Sequence, residues 1–343
     1  MNISEKQIES LRELLAQPRQ RIVVVGHSNP DGDAVGASLA WAEVLRGMGH
    51  TVTCIVPNKY PYFLDWMQGI DRVVVFKNDP EGRAASAVAE ADVIFCLDFN
   101  AVSRLESLTE TIEANTTARR VLIDHHLSPD PDFDLSFSYP GSSSTCYLIY
   151  VITEALCGTE AISEQMAESL YVGMMTDTGN FAFSFLTPEL FRAVAVLIER
   201  GISIPDIHNK VYNAYTEGRA RLFGYAINRK MEIIQDGAAA YMSLLENEMR
   251  RFQFQQGDSE GFVNYALTIK TVKLSAMFLA HRKFIRVSLR SRGDVDVNLF
   301  ARKYFNGGGH KNAAGGKSFL TMQETIDHYI RSVKEFAAEG CLG

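Results

Sequence analysis

The stretch VLIDHHLSP, residues 121–129, ends an apolar run in Asp124, His125 and His126. Burying a carboxylate and two imidazoles costs several kcal/mol unless each finds a partner. Both residue types bind metal ions and move protons. Other apolar runs end in the same way. RIVVVG (21–26) is followed by His27, Asp31 and Asp33 within H-S-N-P-D-G-D, DVIFCL by Asp98, and LYVGMM by Asp177 within T-D-T-G. Each residue alone has a modest reading: Asp31 and Asp33 as helix caps, His27 as a loop residue, Asp98 and Asp177 as turn residues. The conjunction points further. It is a donor set of oxygen and nitrogen without thiolate, which suits Mn²⁺ or a similar divalent ion better than a structural zinc. Six candidate ligands, with carboxylates able to bridge, are enough for two ions, the usual arrangement for in-line displacement at phosphorus.

The elements that must position these residues follow from the apolar pattern. RIVVVG (21–26), TVTCIV (51–56), DRVVVF (71–76), DVIFCLD (92–98) and RRVLID (119–124) read as strands, and 33–49 reads as a helix ending at Gly49. Fully apolar strands alternating with helices predict a parallel sheet covered on both faces. Ligands of such sheets sit outside the carboxyl ends of the strands, where these polar residues lie. Helices are expected over 145–157 and 162–176. Between them and the sheet, Pro140-Gly141 and the Ser142–Thr145 run interrupt an uncharged stretch and read as a loop. Residues 188–232 read as helical, with Pro188 and Pro205 near helix starts. Strands are then expected over 238–245, 263–280 and 284–291, helices over 295–305 and 322–338, with a Gly-rich loop between them. The predicted organisation is an α/β catalytic domain (1–187), a helical connector (188–235) and a smaller α/β domain (236–343).

Length and composition are ordinary for a soluble globular protein: 343 residues, 46% hydrophobic and 22% charged. No uninterrupted apolar segment reads as a secretory signal or a membrane span. Five cysteines without C-x-x-C suggest free thiols in a reducing compartment, so a cytoplasmic location is expected. The net charge of −7 argues against a non-specific grip on long nucleic acid. Residues 262–343, however, hold 13 Lys and Arg against 6 Asp and Glu. An acidic front part and a basic back part suit a cation site and an anion site.

The motifs G-H-S-N-P-D-G-D-A (26–34), Asp98, D-H-H (124–126) and T-D-T-G (176–179) resemble the DHH phosphoesterase superfamily in order and spacing. V-S-L-R-S (287–291), D-V-N (296–298) and G-G-G-H-K-N-A-A-G-G (307–316) resemble its DHHA1 substrate-binding domain. The nearest subgroup is similar to the two-domain nano-RNases and pAp phosphatases. The resemblance implies an N-terminal DHH domain, a DHHA1 domain, and hydrolysis of short oligoribonucleotides and 3′-phosphoadenosine 5′-phosphate by a water activated between two Mn²⁺ ions, with Mg²⁺ or Co²⁺ as substitutes. It implies that His27, Asp31 and Asp98 hold one ion, and that Asp33, Asp98, His125 and Asp177 hold the other. Asp124 would orient a metal-bound imidazole through its other N–H, and His126 would serve the scissile phosphate or the leaving oxygen. Gly307, Gly308, Gly309 and His310 would hold a terminal phosphate on a nest of backbone N–H groups, with Ser288, Arg290 and Ser291 opposite. Arg104 has two readings, a phosphate-binding guanidinium or a surface helix residue. The chain departs from the pattern at L-D-F-N, where relatives often have small hydroxyl residues after the Asp. Expected partners are short RNA or mono- and dinucleotides, with no long nucleic acid and no membrane, the protein acting as monomer or homodimer. The rivals are a cyclic-dinucleotide phosphodiesterase in signalling, a family II pyrophosphatase, a processive exonuclease, and a nucleotide sensor without catalysis. The glycine-rich motif argues against the pyrophosphatase, chain length against the exonuclease, and the complete ligand set against the sensor.

Overall fold

A computed structural model describes residues 3–182 and 185–342. The chain forms two compact units, Met1–Ala214 and Tyr215–Gly343. No helix among the described residues is long and apolar enough to cross a membrane. All five cysteines are free, with Cys54, Cys96 and Cys146 buried.

The first unit is built on a six-stranded parallel sheet. Its strands are β1 (Arg21–Gly26), β2 (Thr51–Val56), β3 (Val74–Val75), β4 (Val93–Leu97), β5 (Arg119–Asp124) and β6 (Leu135–Ser138), in the order β3-β2-β1-β4-β5-β6. The order reverses between β1 and β4, which opens a crevice at the carboxyl ends of those two strands. Helices α1 (Glu5–Leu15), α2 (Gly32–Gly47), α3 (Arg83–Ala89), α4 (Thr109–Ala114), α5 (Thr145–Cys157), α6 (Glu164–Asp177), α7 (Pro188–Glu199) and α8 (Ile204–Tyr212) complete the unit. Successive strand residues face opposite sides. Val23, Val25, Ile94, Cys96 and Leu122 therefore pack on Ala84, Val88, Leu105 and Ile112, while Phe95 on the other face meets Trp41 of α2 with ring centroids 5.3 Å apart. There α2, α5 and α6 crowd together. A Cβ on Gly173 would lie 2.1 Å from Cys146 Sγ, so only glycine fits at that crossing.

The second unit contains α9 (Glu217–Tyr225), β7 (Glu232–Ile234), β8 (Ala239–Leu244), α10 (Glu246–Arg251), α11 (Phe262–Tyr265), β9 (Leu274–His281), β10 (Phe284–Ser291), α12 (Val297–Tyr304), β11 (Gly308–Gly309), β12 (Ala313–Ser318) and α13 (Met322–Ala338). Its sheet runs β11-β12-β10-β9-β8-β7, with β8 and β9 parallel and the other neighbours antiparallel. Phe300, Tyr329 and Phe336 of α12 and α13 cover one face against Phe278, Val287 and Leu289. Leu222 and Phe262 cover the β8–β9 part of the other face against Met242 and Leu279.

Several elements differ from the sequence expectation. The run 71–76 yields only the two-residue β3 between short 3₁₀ turns. Of 263–280, expected as strand, residues 262–268 form helical turns and only Leu274–His281 is strand. A short apolar run does not by itself separate a strand from a buried helical turn. Strands β6 and β12 were not expected. β6 is a short edge strand with Ser136 and Ser138 in it, and β12 reads AAGGKS, a sequence of low β propensity.

Candidate active site

The parallel sheet delivers its polar residues to one edge. His27 follows β1, Asp98 follows β4, Asp124 ends β5, and His125 and His126 come next. Asp31 caps α2, its Oδ1 accepting from the N–H groups of Asp33 at 3.0 Å and Ala34 at 3.1 Å. Asp177 is the last residue of α6. The ligand atoms of His27, Asp31 and Asp98 all lie within 4.8 Å of one another, and so do those of Asp33, His125 and Asp177. Asp98 reaches toward both groups: its Oδ2 is 3.4 Å from His27 Nε2, and its Oδ1 is 3.4 Å from His125 Nε2. Its backbone has φ 64°, a left-handed conformation that a tight turn at the strand end imposes at some cost. His125 Nε2 also lies 3.5 Å from Asp177 Oδ2 and 3.8 Å from Asp33 Oδ2.

Two residues take partners that the sequence does not reveal. The buried Asp124 carboxylate pairs with His126, Oδ1 to Nδ1 at 2.7 Å, while His125 Nδ1 faces the Ser142 carbonyl at 3.2 Å. Arg104 lies in the helical segment 102–108 with an exposed side chain, and its carbonyl accepts from Ser28 N–H at 3.0 Å.

In the second unit the residues expected to hold phosphate lie on β10 and along the glycine run. Strand alternation puts Arg286, Ser288 and Arg290 on the accessible face of β10 and Ser291 on the core face. The Ser291 hydroxyl donates to the Val295 carbonyl at 2.6 Å and accepts from Asn312 Nδ2 at 2.9 Å, so it holds a turn together. The N–H groups of the glycine run, expected as a phosphate nest, have partners within the unit. The N–H of Gly307 donates to the Ala301 carbonyl, that of Gly309 to Asn298 Oδ1, and that of His310 to the Ala313 carbonyl, at 3.2, 3.0 and 2.8 Å. Gly308 pairs with Gly315 in the β11–β12 ladder. A Cβ on Gly307 would lie 1.9 Å from the Gly315 carbonyl oxygen. The close approach that glycine permits here is between β12 and its own neighbouring segment.

The DHH family, N-terminal domain, matches residues 21–174, and the DHHA1 domain matches residues 236–339. The chain belongs to the DHH family. As a DHH phosphoesterase it is a hydrolase of phosphate esters. Among solved structures it is similar to an exopolyphosphatase-related protein from Bacteroides fragilis, with TM-score 0.90 and 37% identity over 97% of each chain. Among curated proteins it is similar to the bifunctional oligoribonuclease and PAP phosphatase NrnA of Thermus thermophilus, 25% identical over 94% of this chain and 92% of that one. The protein of the same name from Bacillus subtilis is 26% identical over 87% and 89%.

DHH phosphoesterases are metal-dependent, and the electrostatics of this DHH site fit cations. Burial, then Asp98 and Asp177, push the Asp33 carboxyl well above the ordinary carboxylate range. Burial also pushes Asp177 up, to about 6, with Asp98 and Asp31 adding to it against His125. Burial would lower the His125 imidazole, but Asp177, Asp98 and Asp33 together hold it well above its usual value. At His27 burial is likewise outweighed, by Asp98 and Asp31. Asp98 goes the other way: burial opposes its ionisation, but His125 and His27 hold it well below the ordinary range. Crowded negative charge contributes to the raised values at Asp33, Asp177, His125 and His27, and divalent cations would balance it. The nearby Cys146 thiol is pushed well up by burial and by Asp33.

The residues missed in sequence are supporting ones. The Thr145 hydroxyl donates to Asp98 Oδ1 at 2.9 Å, and the N–H groups of Thr145 and Cys146 reach the two Asp33 oxygens at 2.6 and 2.9 Å. Three serines and a threonine directly before an apolar helix are an N-cap signal that would have pointed to them.

Proposed function

We propose that this DHH protein hydrolyses short oligoribonucleotides and 3′-phosphoadenosine 5′-phosphate with the help of two divalent ions, Mn²⁺ foremost. His27, Asp31 and Asp98 would hold one ion; Asp33, Asp98, His125 and Asp177 would hold the other. The observation that carries this reading is Asp98, whose two oxygens face one imidazole of each cluster at 3.4 Å. Ions bound there would polarise the phosphoryl oxygens and lower the pKa of a water.

The chain's own residues supply the rest. Asp124 fixes the ring of His126 through Nδ1, which assigns Nε2 to the scissile phosphate or to the proton of the leaving oxygen. Arg104, whose charge partly opposes the rise that Asp98 and Asp31 cause at His27, adds positive potential on the side of the first cluster. In the second unit Arg290 and Arg286, on either side of Ser288, are assigned to substrate phosphate. His310 and the glycine run shape the edge of that face. The substrate class rests on the two NrnA relatives, whose similarity covers most of both chains.

The test is a hydrolysis panel with Mn²⁺ present. It compares a 5′-phosphorylated RNA dinucleotide, a long RNA, 3′-phosphoadenosine 5′-phosphate, cyclic di-AMP and pyrophosphate, with Asp98→Ala as the blank. Fast turnover of the dinucleotide and of 3′-phosphoadenosine 5′-phosphate, with slow turnover of the long RNA, is expected. Preference for cyclic di-AMP would move the protein into signalling. No turnover of any substrate would overturn the catalytic reading.

A further inference from the structure

The Pro-Gly-Ser-Ser-Ser-Thr stretch reads in sequence as an interruption, yet its last residues touch three of the six candidate ligands. The Ser142 carbonyl faces His125 Nδ1 at 3.2 Å. Ser144 caps α5, its hydroxyl accepting from Tyr147 N–H at 3.0 Å. That cap fixes the first turn of α5, so the N–H groups of Thr145 and Cys146 point at the two oxygens of Asp33. Thr145 also donates its hydroxyl to Asp98 Oδ1. It is fully buried, and it binds a carboxylate of each cluster at once.

We propose that Thr145 is a positioning residue that sets Asp98 and Asp33 in one relative geometry, so that the two clusters bind their ions as a pair. The χ2 torsion of a carboxylate is broad, so side-chain partners set the direction of the Asp98 oxygens. A hydroxyl on Oδ1 directs one lone pair to Thr145 and leaves the others for the cluster. Outer hydrogen bonds of this kind orient metal ligands, and their loss typically costs about 10–100-fold in metal affinity or activity. The inference rests on the two-ion reading above.

The test is a calorimetric titration of Mn²⁺ into metal-stripped full-length protein: wild type, Thr145→Val and Thr145→Ser. Valine keeps the shape and both N–H contacts of α5 but removes the hydroxyl, whereas serine restores it. Wild type and Thr145→Ser are expected to bind two ions with similar affinity. In Thr145→Val at least one ion is expected to bind about 10–100-fold more weakly. Hydrolysis of 3′-phosphoadenosine 5′-phosphate should then fall in kcat more than it rises in KM. A metal-free thermal melt reports folding, and Thr145→Ala replaces valine in the same titration if the valine variant does not fold. Two ions bound by the hydroxyl-less variant with wild-type affinity would overturn the role of Thr145. A wild type that binds no Mn²⁺ would instead overturn the two-ion reading.

Discussion

The strand ends of the first unit and the glycine-rich edge of the second were both expected to bind, and they are built differently. At the strand ends the polar groups face other candidate ligands, backbone groups of the 142–146 segment and the Thr145 hydroxyl. Asp33, Asp98 and His125 are buried yet are satisfied mainly by one another and by Thr145 and Cys146. At the glycine-rich edge the groups expected to bind phosphate largely complete their own domain: Ser291 ties down a turn, and the N–H groups of Gly307, Gly309 and His310 are used locally. The contrast teaches that burial of charge is the more informative signal. A buried carboxylate cluster is costly unless a ligand balances it, whereas a glycine run has equally good uses in packing.

The sharpest way to break the contrast is Asp98→Ala. It should lower hydrolysis by more than about 100-fold, beyond the usual loss from an outer hydrogen bond, while a thermal melt of the metal-free protein shows the fold intact. Gly307→Ala should do the opposite. Its Cβ has no room beside Gly315, and overpacking of this kind costs about 3 kcal/mol. Denaturant unfolding should register that loss in the second unit, with Mn²⁺ binding retained.

Mn²⁺ at about 100 times its Kd should stabilise the folded protein by about 2.7 kcal/mol for each site of that affinity. Chelator should reverse the gain, and Asp98→Ala should show little of it; equal melting temperatures with and without Mn²⁺ in wild type would remove the cation site from the comparison. Ser291→Ala should cost about 1–3 kcal/mol, the price of stranding buried hydrogen-bond partners. Its KM for 3′-phosphoadenosine 5′-phosphate should stay at the wild-type value, while Arg290→Ala raises it. A raised KM in Ser291→Ala would restore that serine to the substrate site.

The smallest effect is chemical. Burial pushes the thiols of Cys54 and Cys96 up to about 11 and about 12. Iodoacetamide at mildly alkaline pH should therefore label Cys157, which is exposed, and leave Cys54 and Cys96 unlabelled until denaturant is added, as read by peptide mass spectrometry.

Much of the first unit was legible because fully apolar runs alternate with helices there. RIVVVG, TVTCIV and RRVLID became β1, β2 and β5 with their expected ends. The elements that escaped are those whose local preference is weak or contrary. β12 is a strand because β10 and β11 pair with it on both sides, despite its two glycines. The β-branched residues of the 263–280 run, Val263, Thr268, Ile269, Thr271 and Val272, all precede β9, and Phe262 turns into the core on a helical segment there.

Residue type and order alone determined that carboxylates and imidazoles follow the apolar strands β1, β4 and β5, because a parallel sheet exposes its chemistry at the carboxyl ends of its strands. Tertiary structure decided the pairings. Asp124 belongs to His126, Ser142 to His125, and Thr145 to both Asp33 and Asp98. It also gave Ser291 its partners, the Val295 carbonyl and the Asn312 amide. These outcomes depend on which segments meet across the sheet and at the first turn of α5. Contacts made between distant parts of the chain leave no local pattern in the sequence.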